Sequence, residues 1–151
     1  MNTPDNELIV SDSTLARNLA LKDIQIGQAV KQTLCFDKDL WGHFDVLACD
    51  QAPLHTELGA ANNMGFDAPV IQGLAVSSRF SRLIGMYLPG SRAVLEKIDF
   101  QFKKPTYPGQ VLTYRCEVKR VFLPLRVVQL ELSMRSEDGL NLTGSCQCVL
   151  R

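Results

Sequence analysis

Asp50 and His55 stand five positions apart in the run Cys49-Asp50-Gln51-Ala52-Pro53-Leu54-His55, with a proline between them. The chain has only two histidines, so His55 is half of its stock of side chains that titrate near neutrality. A little further on, Val70-Ile71-Gln72-Gly73-Leu74 brings a glycine to the start of a long apolar helical pattern. A carboxylate, an imidazole and a helix N-terminus are the parts needed to move water onto or off an activated double bond. Asp50 and His55 can together orient one water, one taking its proton and the other returning a proton to carbon, a kind of help worth roughly 10²–10⁴-fold. Free N–H groups at the helix start, next to Gly73, can hold charge that develops on an oxygen. Glycine there lets a substrate approach the backbone closely.

The flanking pattern describes what must hold these groups. Residues 30–36 suit a strand, and Asp37 can cap a helix over 38–47 whose apolar face is Leu40, Phe44 and Leu47. Residues 50–69 carry Pro53, Gly59, Asn62, Asn63, Gly65 and Pro69, which is loop chemistry with one short helical turn near 57–62. A loop this long in a compact domain is usually functional. The strongest helix runs over about 72–88. Leu74, Phe80, Leu83, Ile84, Tyr87 and Leu88 give it bulk, while Gly73, Ala75, Ser77, Ser78, Ser81 and Gly85 are small. Only Arg79 and Arg82 are charged, so this helix is expected to be wrapped by other structure. Pro89-Gly90 ends it. Val94, Glu96, Ile98, Phe100 and Phe102 then alternate with Leu95, Lys97, Asp99 and Gln101. Strands over 111–122, 125–136 and 140–150 follow, the last two joined by the turn Glu137-Asp138-Gly139. This is an α+β arrangement, a curved antiparallel sheet around one central helix.

At 151 residues the chain reads as a flexible N-terminal tail over 1–13 and a single domain over 14–151. Lys+Arg and Asp+Glu are both 16, so net charge makes no case for nucleic acid or an anionic membrane as partner. No stretch is apolar for long enough to cross a bilayer, and Met1 to Asp12 lacks the pattern of a signal peptide. Five cysteines, an odd number, suit reduced thiols in a cytoplasmic protein. Cys146 and Cys148 share a strand face and read as small buried residues; no set of metal ligands at suitable spacing accompanies them. Bland readings stand beside the functional ones. Asp50 can be a loop cap and His55 an exposed polar residue, His43 suits a helix surface, Ser81 suits a bond to a carbonyl one turn back, and Arg79 and Arg82 suit surface ion pairs.

Taken together and in order, these residues resemble the MaoC-like (R)-specific enoyl-CoA hydratases and acyl dehydratases, a family with the hotdog fold. The family motif D-x-N-P-x-H stands here as Asp50-Gln51-Ala52-Pro53-Leu54-His55. Its helix-opening His-Gly stands as Gln72-Gly73, and its strand-turn-strand signature as Lys104-Pro105-Thr106-Tyr107-Pro108-Gly109-Gln110-Val111-Leu112. The chain departs from the pattern at Ala52 and at Gln72. The resemblance implies that Asp50 and His55 are the catalytic dyad. It also implies that the Gly73 N–H binds the thioester carbonyl oxygen, and that Ser81, Gln72 and Pro53 support the site. Reversible hydration of a trans-2-enoyl thioester to the (R)-3-hydroxyacyl thioester is then the expected reaction. It needs no metal or cofactor beyond the CoA of the substrate, with acyl carrier protein as the alternative carrier. A homodimer or higher homo-oligomer is expected, because pairing would hide open sheet edges. Two alternatives remain: a hotdog acyl-CoA thioesterase, and an acyl-thioester binding module whose site has eroded at Ala52 and Gln72.

Overall fold

The apolar alternation of the C-terminal half becomes one six-stranded sheet in the structure, a computed structural model that describes residues 6–151. Its strands are β1 (Glu7–Ile9), β2 (Ala29–Phe36), β3 (Ala93–Phe102), β4 (Gln110–Phe122), β5 (Val127–Ser136) and β6 (Gly139–Leu150), in the order β1-β2-β4-β5-β6-β3. All neighbours are antiparallel except β1, which runs parallel to β2. β5 and β6 are joined at Glu137-Asp138, and Gly139 takes the positive φ (+114°) that the turn requires. The expected sheet is therefore present, with one parallel strand added at its edge.

The helices are α1 (Lys38–Ala48), α2 (Pro53–Thr56), α3 (Leu58–Asn63), α4 (Gly73–Ser77) and α5 (Arg79–Arg82), the last continuing into a π-helical turn at Leu83–Tyr87. The single helix expected over 72–88 is thus a run over 73–87 with a break at Ser78. Two hydroxyls account for the break. Ser77 Oγ donates to the Leu74 carbonyl (3.2 Å) and Ser78 Oγ to the Ala75 carbonyl (2.6 Å), competing with the backbone ladder. The run ends at Tyr87, and the chain turns away at Gly90, where φ is +100° and a Cβ would lie 2.5 Å from the Arg17 carbonyl oxygen.

The sheet curls around this run. Ala75, Val76, Phe80, Leu83, Ile84 and Tyr87 are buried against Val30, Leu112, Tyr114, Val118, Leu130, Leu132 and Leu142. Phe80 stacks on Phe100 at 5.6 Å between centroids and meets Tyr114 edge-on at 5.3 Å. Cys146 and Cys148 are buried, as their shared face suggests. Burial also raises the Cys116 thiol pKa, which makes it a packing residue rather than a reactive one.

Two expectations need correction. The tail expected over 1–13 includes strand β1, while residues 1–5 lie outside the described residues. Glu7 accepts from Arg115 Nε (2.7 Å), and Val10, 5 % exposed, donates its N–H to the Lys31 carbonyl at 2.9 Å. Those partners are 21 residues or more away, so the polar local sequence carries no trace of them. The apolar face expected on α1 is only partly used. Trp41 and Phe44 pack on the core, whereas Leu47 is 82 % exposed, because α1 touches the body along a narrow stripe.

Candidate active site

Local chemistry brings Asp50 and His55 together. Asp37 caps α1 by accepting from Leu40 N (3.0 Å), and α1 ends at Cys49 in the left-handed conformation (φ 53°). Asp50 follows and folds back, its Oδ1 accepting from Ala52 N at 3.2 Å. Pro53 then opens α2, where a missing N–H costs nothing. The His55 N–H donates to the Ala52 carbonyl at 2.8 Å and closes the turn. His55 Nε2 ends 3.8 Å from Asp50 Oδ2, too long for a direct hydrogen bond and suited to two groups that grip one water between them.

Tertiary contact sets the state of the imidazole. His55 Nδ1 lies 2.6 Å from the Val70 carbonyl oxygen, which can only accept, so Nδ1 carries the proton and donates. In the neutral ring Nε2 is then the basic atom, and it is the one facing Asp50. The His55 side chain is 15 % exposed and that of Asp50 43 %, so the pair sits at the wall of the protein with one side open.

The helix start lies nearby. The Ala75 and Val76 N–H groups bond the Gln72 carbonyl, while the Gly73 N–H has no acceptor among the described residues. A Cβ at Gly73 would meet the Phe102 ring at 2.7–3.0 Å, so only glycine allows this ring to lie on the backbone. His55 and Gly73 line the same cleft of about 520 Å³. Its other walls are mainly apolar, including Leu54, Phe66, Ile71, Val76 and Phe102, and Lys103 and Lys104 also line it. Hollows of about 570 and 680 Å³ elsewhere on the sheet contain none of these residues.

The remaining sequence candidates fall into place individually. Gln72 is 3 % exposed, and its amide bonds Trp41, Asp45 and the Asp50 carbonyl. Pro53 shapes the turn. Ser81 is exposed on α5, two turns beyond Gly73, and is not part of the cleft lining. Arg79 and Arg82 are engaged with Asp12, and Arg82 also donates to Tyr87 OH (2.9 Å), so both are committed within this chain. His43 is an exposed α1 residue whose Nδ1 lies 2.6 Å from the Asp39 carbonyl oxygen. Of the bulky β3 residues, Phe102 lines the cleft, Phe100 stacks in the core and Leu95 is 42 % exposed. Trp41, Asp45, Lys103 and Lys104 were not legible as site residues. Their only signal is proximity to the motifs in space.

The sheet curls around a central helix with a carboxylate–imidazole pair beside the helix start, and the relatives of this chain place it among the hydro-lyases. The family model described as MaoC like domain matches residues 22–129, and the chain belongs to that family. It is 28 % identical over 127 residues to the (R)-specific enoyl-CoA hydratase of Aeromonas caviae, covering 83 % of this chain and 95 % of that protein. The solved (R)-hydratase structure from A. caviae superposes with a TM-score of 0.79 at 26 % identity, covering 86 % of this chain and 99 % of that one. A mitochondrial 3-hydroxyacyl-[acyl-carrier-protein] dehydratase of Arabidopsis thaliana is 30 % identical over 99 residues, covering 66 % of this chain and 57 % of that protein.

Proposed function

We propose that this chain interconverts trans-2-enoyl thioesters and (R)-3-hydroxyacyl thioesters, with CoA as the carrier. The observation that carries this reading is the placement of His55 Nε2, facing Asp50, in the same cleft as the free Gly73 N–H. In hydration the water oxygen bonds to C3 and a proton arrives at C2. The electron pair of the double bond moves towards the thioester oxygen, where the Gly73 N–H meets it. With Nδ1 committed to Val70, the imidazole exchanges its proton at Nε2 alone. The proposed reaction asks for an acid/base pair and an N–H donor, and the reading therefore includes no metal or redox cofactor. The bend at Asp50 does not depend on the side chain at position 52, since the backbone N–H of Ala52 serves the Asp50 carboxylate.

The test is crotonyl-CoA followed in the ultraviolet with a thiol reagent present. Hydration removes the enoyl-thioester absorbance and releases no thiol. Thiol release would mean a thioesterase, and no change with short, long and branched enoyl thioesters would leave a binding module.

Lys103 and Lys104 are the charged side chains, beyond His55, in the cleft lining, and they suit a carrier that brings phosphate. Replacing both by alanine is expected to raise KM for crotonyl-CoA roughly three- to tenfold. KM for the phosphate-free N-acetylcysteamine thioester should stay unchanged. Equal effects on the two substrates would count against phosphate contact.

The β3 edge, where Val94 and Leu95 are 48 % and 42 % exposed, suits pairing with a second copy as a homodimer. The free thiols suit a reducing, cytoplasmic compartment.

A further inference from the structure

We infer that α1 is the element that positions the dyad, and that Trp41 and Gln72 form the latch holding it. The inference rests on the hydratase reading for its catalytic consequence and on geometry for the latch itself. α1 has no fully buried residue, and Val46 and Leu47 in its last turn are each 82 % exposed, so apolar packing holds its C-terminal half only weakly. Yet that half leads through Cys49 directly into Asp50. What ties it down is polar. Gln72 Oε1 accepts from Trp41 Nε1 at 2.5 Å, and Gln72 Nε2 donates to Asp45 Oδ1 and to the Asp50 carbonyl oxygen, each at 3.1 Å.

Both donor hydrogens of the amide and its oxygen are used, in a residue that is 3 % exposed. The same residue precedes Gly73, and its own carbonyl receives the Ala75 and Val76 N–H groups. One side chain therefore fixes the carboxylate's backbone and the helix start in a common frame. Trp41, Gln72 and Asp45 touch no reacting atom and act as positioning residues. Catalytic geometry is sensitive to shifts of about 1 Å, which can cost 10²-fold, so releasing α1 is felt in turnover before it is felt in binding.

The experiment uses Trp41→Phe, Gln72→Leu and the double variant in the full chain. Turnover should fall roughly ten- to hundredfold in Gln72→Leu and less in Trp41→Phe, with KM within about threefold of wild type. The double variant should be no slower than Gln72→Leu alone, because the Trp41 bond is already lost there. Trp41 is the chain's single tryptophan. Its emission should shift to the red and be quenched more readily by acrylamide in Gln72→Leu, a readout that needs no substrate. Unchanged quenching in folded Gln72→Leu overturns the latch, as does wild-type kcat. If Gln72→Leu does not fold, Gln72→Met, which keeps the length of the side chain and removes the amide oxygen and both donors, undergoes the same two measurements. An inactive wild type would sink the hydratase reading alone, and the quenching would still decide the latch.

Discussion

Asp50→Asn and His55→Gln should each lower kcat/KM for crotonyl-CoA hydration by roughly 10²–10⁴-fold, the range of general acid/base help, in protein that stays folded. Asn keeps an oxygen for the Ala52 N–H, so the turn survives. It replaces the carboxylate oxygen facing His55 with an amide, which is neither a useful base nor a useful acid. Gln at 55 can still donate to the Val70 carbonyl while removing the basic nitrogen at the Asp50 side. The expected stability loss is small, about 1 kcal/mol for the altered hydrogen bond. The check is steady-state kinetics beside thermal unfolding of both variants. If both residues act on one water, as proposed, the two losses should not multiply in the double variant. Near wild-type rates in either folded variant would remove that residue from the dyad.

Gly73→Ala should cost kcat/KM roughly 10²–10³-fold, the range seen when one oxyanion donor is lost. The new Cβ would lie 2.7 Å from Phe102 Cζ. Phe102 is 51 % exposed, so its ring can swing outwards and the fold survives, at about 1–3 kcal/mol. The thioester, however, has lost its close approach to the backbone N–H. Adding Phe102→Ala separates the two effects. The double variant should regain much of the lost thermal stability and little of the lost activity. Full recovery of activity would show that the ring clash, rather than the blocked donor, was responsible.

Much of this site was legible because its parts are local. Asp50, Pro53 and His55 lie within one turn of chain, so the bend that brings carboxylate and imidazole together is written in six consecutive residues. The glycine at the start of a long apolar helical run was legible for the same reason. Strand periodicity extended this to the sheet, because alternation over ten residues leaves one face for the core. Ser81 shows where that reasoning ends. Its small size suits the central helix, but the break at Ser78 and the path of the run leave it exposed and outside the cleft.

The sequence by itself determined the α+β class, the central helix with its wrapping strands, and the pairing of Asp50 with His55, all of which follow from spacing within a turn or a strand. Only the tertiary structure decided the rest. Nδ1 of His55 is bound to the carbonyl of Val70, 15 residues on, which sets the tautomer. Gln72 meets Trp41 across 31 residues, and Arg79 meets Asp12 across 67. Phe102 covers Gly73, and Glu7–Ile9 pairs beside β2. The physical reason is common to all of them. These contacts join groups whose separation along the chain has no fixed relation to distance, so they exist only once the sheet has closed around the helix and set the register of both.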